Sequence, residues 1–270
     1  MLNESPAAIL YTSLAMRVFV ILPAAGIGTR MAAGAGSSGA GAGTPKQFLS
    51  LGGVPMLIHS LRAFLAVERV AAIYVAVRAT EIDRVKAQLA EHGLGARVQV
   101  DRIHVVEGGD IRQQSVANAL ARLVAETGCG PEDVVLVHDA ARPLIEPETI
   151  DRTIDAIAES GAAIVGLPAV DTIKQVERTA HGAIITATIP RERIVQAQTP
   201  QGAKCGLLQR AFAEAEKDEF IGTDEASLLE RAGIEVAVVA GSARNFKVTQ
   251  PGDLELAEFY LEKATTDEHG

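Results

Sequence analysis

At 270 residues, with 48% hydrophobic and 22% charged residues, the chain has the composition of a soluble globular protein and the length to bury a proper core. A formal net charge of -9, no tryptophan and only 4% aromatic residues argue against a nucleic-acid partner, which needs basic grooves and stacking rings. Cys129 and Cys205 stand far apart in the chain and outside any C-x-x-C pattern, so neither a disulfide framework nor a zinc site is expected and the expected setting is a reducing cytoplasm.

Residues 1–15 read as a loose extension: Glu4 stands where a signal peptide needs basic residues, and Arg17 interrupts the apolar run, so no membrane span is expected either. From Val18 onward, short β-branched runs alternate with helical patterns. Strands are expected at 18–22, 72–77, 103–106, 134–138 and 162–168, and helices at 56–66, 81–91, 112–126 and 147–159, the last opened by Pro147. Apolar runs without alternation suit strands covered on both faces. The expected fold is therefore α/β, a Rossmann-like doubly wound, mostly parallel sheet, in one domain over 16–264 with a loose tail at 265–270. The stretch 171–190 carries β-type residues on both sides of "TAHG", which suits a hairpin. It either projects as an arm or adds antiparallel to the same sheet. Beyond "RIVQAQTPQG", a helix is expected at 204–216, another opened by "GTDEAS" with Asp224 and Glu225 in its first turn, and a last one from Pro251, with a strand in "EVAVVA".

The segment "GTRMAAGAGSSGAGAGTPKQ" follows the first strand. The dinucleotide fingerprint fails because Met31 stands at its third glycine, and a phosphate-cradling Walker loop fails because Pro45 precedes Lys46 and Gln47 follows it. What is left is Gly26 and Gly28, which let backbone approach a ligand, and two cations, Arg30 and Lys46. As a coil, the intervening residues span roughly 20 Å, enough to double back and bring both cations to one phosphate chain. A mobile loop over 31–44 fits this better than a linker, which would leave the first strand without a domain.

The motifs "PAAGIGTRM…PKQF", "GGDIRQQSV", "VHDAARP", "DTIK", "TPQ", "TDEAS" and "NFKVT" occur in this order between Val18 and Leu261. Together they resemble the 2-C-methyl-D-erythritol 4-phosphate cytidylyltransferase family, with ribitol 5-phosphate cytidylyltransferases as near relatives. The resemblance implies transfer of CMP from CTP to a polyol phosphate with release of pyrophosphate, in isoprenoid precursor biosynthesis, with Mg²⁺ bridging phosphate oxygens. Arg30, Lys46 and Lys247 are implied as the cations on the reacting phosphates. Ala24, Ala25, Gly26, Gly28, Gly109, Asp110 and Ser115 are implied for CTP, although Asp110 and Ser115 also read as helix caps. Asp139 and Arg142 are implied for the acceptor pocket, Asp139 also as a metal ligand. His138 reads as a buried strand residue, because an ionised phosphate needs no base.

The hairpin arm is implied to cross to a second subunit of a homodimer. Thr172 and Arg191 would then bind the acceptor in the partner's site, with Arg193 as the alternative should the register shift. Thr199 and Thr223 would complete the pocket, Thr223 reading equally as a helix N-cap. The insert 32–43 is longer than the family pattern. An NAD-dependent enzyme is disfavoured by the missing third glycine, and a non-catalytic nucleotide sensor by the joint presence of Arg30, Lys46 and Lys247.

Overall fold

The apolar runs become strands because β-branched side chains covered on both faces belong in the middle of a sheet. The computed structural model describes residues 16–26, 45–99 and 102–267. In chain order its strands are β1 (Val18–Pro23), β2 (Ser50–Leu51), β3 (Val54–Pro55), β4 (Val70–Val77), β5 (Ile103–Glu107), β6 (Val134–Val137), β7 (Ala162–Pro168), β8 (Ile173–Thr179), β9 (Gly182–Ile189), β10 (Val195–Lys204) and β11 (Ala237–Ala240). The helices are α1 (Met56–Ala66), α2 (Ile82–Glu91), α3 (Gly95–Gln99), α4 (Arg112–Thr127), α5 (Pro147–Ser160), α6 (Cys205–Lys217), α7 (Glu225–Arg231) and α8 (Pro251–Asp267).

Among the described residues the central sheet has seven strands in the order β11-β7-β10-β6-β1-β4-β5. Its pairings are parallel except those of β10, which runs antiparallel to β6 and β7. Alternation along β1 divides the core. Val18, Val20 and Leu22 face α1, α2 and α5, whereas Phe19 and Ile21 face α4, α6 and α7. The sheet is thus covered on both sides, as the unbroken apolar runs require.

Besides the one-turn helix α3, two strand features escaped the sequence reading. The first is the β2–β3 hairpin, too short to carry a periodic signal. The second is β10, whose Pro200 speaks against an interior strand because it cannot donate to a ladder. The sheet absorbs it by an irregularity: pairing with β7 is interrupted between Ala197 and Gln201, which frees residues 198–200 from the ladder. Glycine makes the rest of this strand fit, since a Cβ on Gly202 would lie 2.4 Å from the Val135 carbonyl oxygen.

The stretch 171–190 projects. Among the described residues β8 and β9 pair only with each other, in a sheet of their own, and Ile184 and Ile185 stand 62% and 60% exposed. Antiparallel addition to the central sheet is excluded. No described helix is long and apolar enough to cross a membrane.

Candidate active site

Backbone bonds at the carboxyl end of β4 bring two glycine-bearing loops side by side. Ala24 N–H donates to the Ala76 carbonyl and Gly108 N–H to the Val77 carbonyl, each at 2.7 Å, while Arg78 Nε donates to the Ala25 carbonyl at 3.0 Å. Buried Gln47 donates its amide to the Ala24 carbonyl, tying the segment after Lys46 to the same turn. Gly26 faces open space, whereas a Cβ on Gly109 would lie 2.4 Å from Gln114 Cβ. Only glycine lets the second loop fold that closely over α4.

The start of α4 is capped by Gln114, whose Oε1 accepts from Asp110 N–H at 3.1 Å and Ile111 N–H at 3.4 Å. The capping considered for Asp110 thus falls to Gln114, which can reach back from inside the first turn. Ser115 is buried, and its hydroxyl accepts from Gly109 N–H at 3.0 Å. Its role in this structure is to fix the loop. Gly109 and Asp110 edge a hollow of about 690 Å³ between α4 and α6, while Ala24, Ala25 and Gly26 line a cleft of about 190 Å³ that also takes in Arg112, Asp139 and Lys247.

Asp139, just beyond β6 and 8% exposed, is the hinge of that cleft. Its Oδ1 accepts from Arg112 Nε at 2.9 Å and its Oδ2 from Lys247 Nζ at 2.6 Å. Arg112 also grips Glu225, Nη1 to Oε1 at 2.7 Å and Nη2 to Oε2 at 2.9 Å. Burial by itself would raise the Asp139 carboxyl, but Arg112 and Lys247 outweigh it and hold the group well below the usual carboxylate range. Burial pushes the Glu225 carboxyl up, with Arg112 pulling the other way. Since both Glu225 oxygens accept from the guanidinium, the carboxyl is ionised in this arrangement.

His138, wholly buried, supports Asp139 from behind. Its Nε2 must donate to the Arg142 carbonyl at 3.0 Å, which leaves Nδ1 to accept from the Thr199 hydroxyl at 3.0 Å. That hydroxyl in turn accepts from Asp139 N–H at 3.1 Å. The imidazole is therefore neutral, and burial pushes it down to about 4.

Other predicted residues take different places. Thr199 is buried with its hydroxyl committed to His138 and Asp139, so it orients the site from behind. Arg142 turns to backbone, donating to the carbonyls of Asn245 at 2.8 Å and Ala197 at 3.4 Å, and so anchors the segment leading to Lys247. Thr223 is not the N-cap of α7. Asp224 is, accepting from Ser227 N–H at 3.0 Å, because an Asp–Ser capping box outcompetes a hydroxyl one residue earlier. Thr172 is exposed, and Arg191 donates to the Val170 carbonyl at 2.6 Å, both at the base of the arm. Gly28, Arg30, the loop 31–44 and the side chain of Lys46 lie outside the described residues.

Sequence reasoning missed Arg112 and Glu225. Arg112 read as the first residue of a helix, and nothing in the sequence joins it to a carboxylate 113 positions away. The only signal was two charges placed beside glycine- and threonine-bearing motifs.

The sequence profile of the 2-C-methyl-D-erythritol 4-phosphate cytidylyltransferase family matches residues 18–263. The chain belongs to this family. It is 66% identical over 251 residues to the 2-C-methyl-D-erythritol 4-phosphate cytidylyltransferase of Acidobacterium capsulatum, covering 93% of this chain and all of that one. Against the enzyme of that name from Solibacter usitatus the identity is 49% over 247 residues, covering 91% and 96%. The crystal structure of the Thermus thermophilus enzyme superposes with a TM-score of 0.67 at 33% identity, covering 91% of this chain and 98% of that one. As in other open α/β sheets, the cleft of this cytidylyltransferase family member lies outside the carboxyl ends of parallel strands.

The fit of a divalent metal follows from the donors. Among the described residues no group of three or more His, Cys, Asp or Glu side chains could hold a metal. Among those lining the cleft, Asp139 alone offers a carboxylate oxygen, which suits Mg²⁺, an ion held by one or two carboxylates plus substrate phosphates.

Proposed function

We infer that the chain transfers CMP from CTP to 2-C-methyl-D-erythritol 4-phosphate, giving 4-diphosphocytidyl-2-C-methyl-D-erythritol and pyrophosphate. The observation that carries this reading is the Asp139–Lys247 pair set against the Ala24–Gly26 turn in a chain of this family. An oxygen of the acceptor phosphate attacks the α-phosphorus of CTP, and the bond to the bridging oxygen of pyrophosphate breaks. The acceptor is already ionised, so the neutral, buried His138 is not needed as a base. The protein's task is to align two anions and offset the charge that builds on the phosphoryl oxygens.

In this reading the Ala24–Gly26 backbone and the Gly109–Ser115 loop hold the nucleoside, and Lys247 leaves Asp139 for the phosphates alongside Arg30 and Lys46. Asp139 is then the carboxylate open to Mg²⁺, which neutralises phosphate charge when bound. Two buried free thiols, Cys129 and Cys205, suit a reducing cytoplasm.

The test is pyrophosphate release from CTP and Mg²⁺ with methylerythritol phosphate or ribitol 5-phosphate as separate acceptors. Release with methylerythritol phosphate is expected, and its loss on adding EDTA. Release with ribitol 5-phosphate alone would overturn the acceptor, and silence with both the reaction.

The arm is proposed as the dimer contact, carrying Thr172 and Arg191, or Arg193, into the partner's cleft. Its exposed Val176, Ile184 and Ile185 support this, being apolar side chains on an arm whose strands pair only with each other. Replacing Ile184 and Ile185 by serine should turn a dimer into a monomer in light scattering and abolish turnover. A variant that stays dimeric removes the arm from the interface.

A further inference from the structure

The roles above leave Glu225 unexplained, and they give Arg112, which lines the cleft, no part in the reaction. A buried carboxylate is costly unless paired and hydrogen-bonded, and Glu225 is 1% exposed. It is also fixed with unusual care. Gln201 Oε1 accepts from Ala226 N–H at 3.0 Å, and Gln201 Nε2 donates to Asp224 Oδ2 at 2.9 Å, so β10 clamps the first turn of α7 on both sides of Glu225.

The geometry at Arg112 says what this clamp accomplishes. A guanidinium prefers to meet a carboxylate with parallel N–H bonds to both oxygens. Arg112 does so with Glu225, through Nη1 and Nη2, and reaches Asp139 through Nε alone. Asp139 therefore keeps its second oxygen for Lys247. Were Glu225 neutral, the guanidinium would be free to turn onto Asp139 and take both oxygens, displacing the ammonium.

We propose that Glu225 is a positioning residue for cytidylyl transfer: by engaging Arg112 end-on it restricts that arginine to one Asp139 oxygen and so holds Lys247 over the phosphate cleft. The charges balance. With all four side chains ionised the cluster is neutral, and when Lys247 moves to a phosphate the remaining negative charge sits on Asp139, facing the cleft, while Arg112 stays neutralised by Glu225.

This inference rests on the reaction proposed above, and its test separates the two. Glu225→Gln keeps size and one acceptor. It should lower kcat about tenfold with little change in the KM for CTP, whereas in a Lys247→Met background the same substitution should cost less than about threefold, the signature of residues acting through one another. Equal losses in both backgrounds, or a loss confined to KM, overturn the proposal. The second readout needs no turnover: labelling of Lys247 by an amine-reactive ester, followed by peptide mass spectrometry, should be several-fold faster in Glu225→Gln than in the parent protein. Unchanged labelling overturns the proposal even if the parent proves inactive, which would instead sink the reaction. Should Glu225→Gln not fold, Arg112→Lys takes its place in the labelling experiment: with no guanidinium left to take both Asp139 oxygens, Lys247 stays on Asp139 and labelling should remain at the parent rate, so faster labelling overturns the proposal.

Discussion

Replacing Lys247 by methionine should lower kcat for pyrophosphate release by about 10²–10³, the loss typical of removing one preorganised charge from a transition state, while the thermal midpoint changes little. Lys247 is half exposed at the cleft edge, and its partner of opposite charge is Asp139, at 2.6 Å. Asp139 is buried, but without the ammonium its carboxylate still accepts from Arg112 Nε at 2.9 Å, so it is not left unpaired and losing the partly exposed lysine should disturb stability only slightly. Its chemical worth is different. In the cleft the ammonium is held at Asp139 before the phosphates arrive, so only a short shift brings it to the charge growing on the α-phosphoryl oxygens. Methionine preserves the unbranched stem and its packing but not the charge. Steady-state kinetics with CTP varied at saturating acceptor checks this. A rise in KM alone would make Lys247 a binding residue that treats ground and transition states alike.

Much of this site was legible in the sequence, for a physical reason. Asp139 sits at the end of an apolar run with no alternation, and in a doubly wound sheet that position opens onto the ligand crevice. Lys247, from a motif more than a hundred positions later, was placed near the phosphates by resemblance alone, and the fold brings it onto Asp139. The helix α1 and the strand β7 have the bounds that periodicity gives them, since their signals are local. What stayed hidden depends on contacts between distant segments. No local signal marks β10, because Pro200 cannot donate to a ladder and only the interrupted register between β10 and β7 accommodates it. Thr199 read as a substrate contact because nothing local shows that His138 and Asp139 N–H claim its hydroxyl. Arg112 and Glu225 each read as ordinary helix-start residues, and only the packing of α7 beside α4 makes them a pair.

Stability should fall as the pH drops from about 6.5 to about 4, by about 3 kcal/mol at His138 alone, and His59, which burial also pushes down, adds to the loss in the same sense. Burial holds the His138 imidazole at about 4, below its ordinary 6.5. The unfolded chain therefore takes up a proton as the pH passes through 6.5, while the folded chain stays neutral at this position until about 4. Across that window the unfolded state binds more protons, so stability is lost on acidification and is level again below it. Asp139 does not contribute there. Its folded value is depressed, so its share is present above the unfolded carboxylate range and is lost only at more acid pH. Glu225 acts in the opposite sense, since burial raises it and protonation favours the fold, which flattens the acid end of the slope. Urea midpoints at intervals between pH 7 and pH 4 would show the decline. His138→Asn should be less stable at pH 7, having lost the bonds to Thr199 and the Arg142 carbonyl, yet lack most of the pH slope. If parent and variant decline in parallel, some other group carries the titration, and the neutral His138 that fixes Thr199 and the Asp139 backbone loses its support.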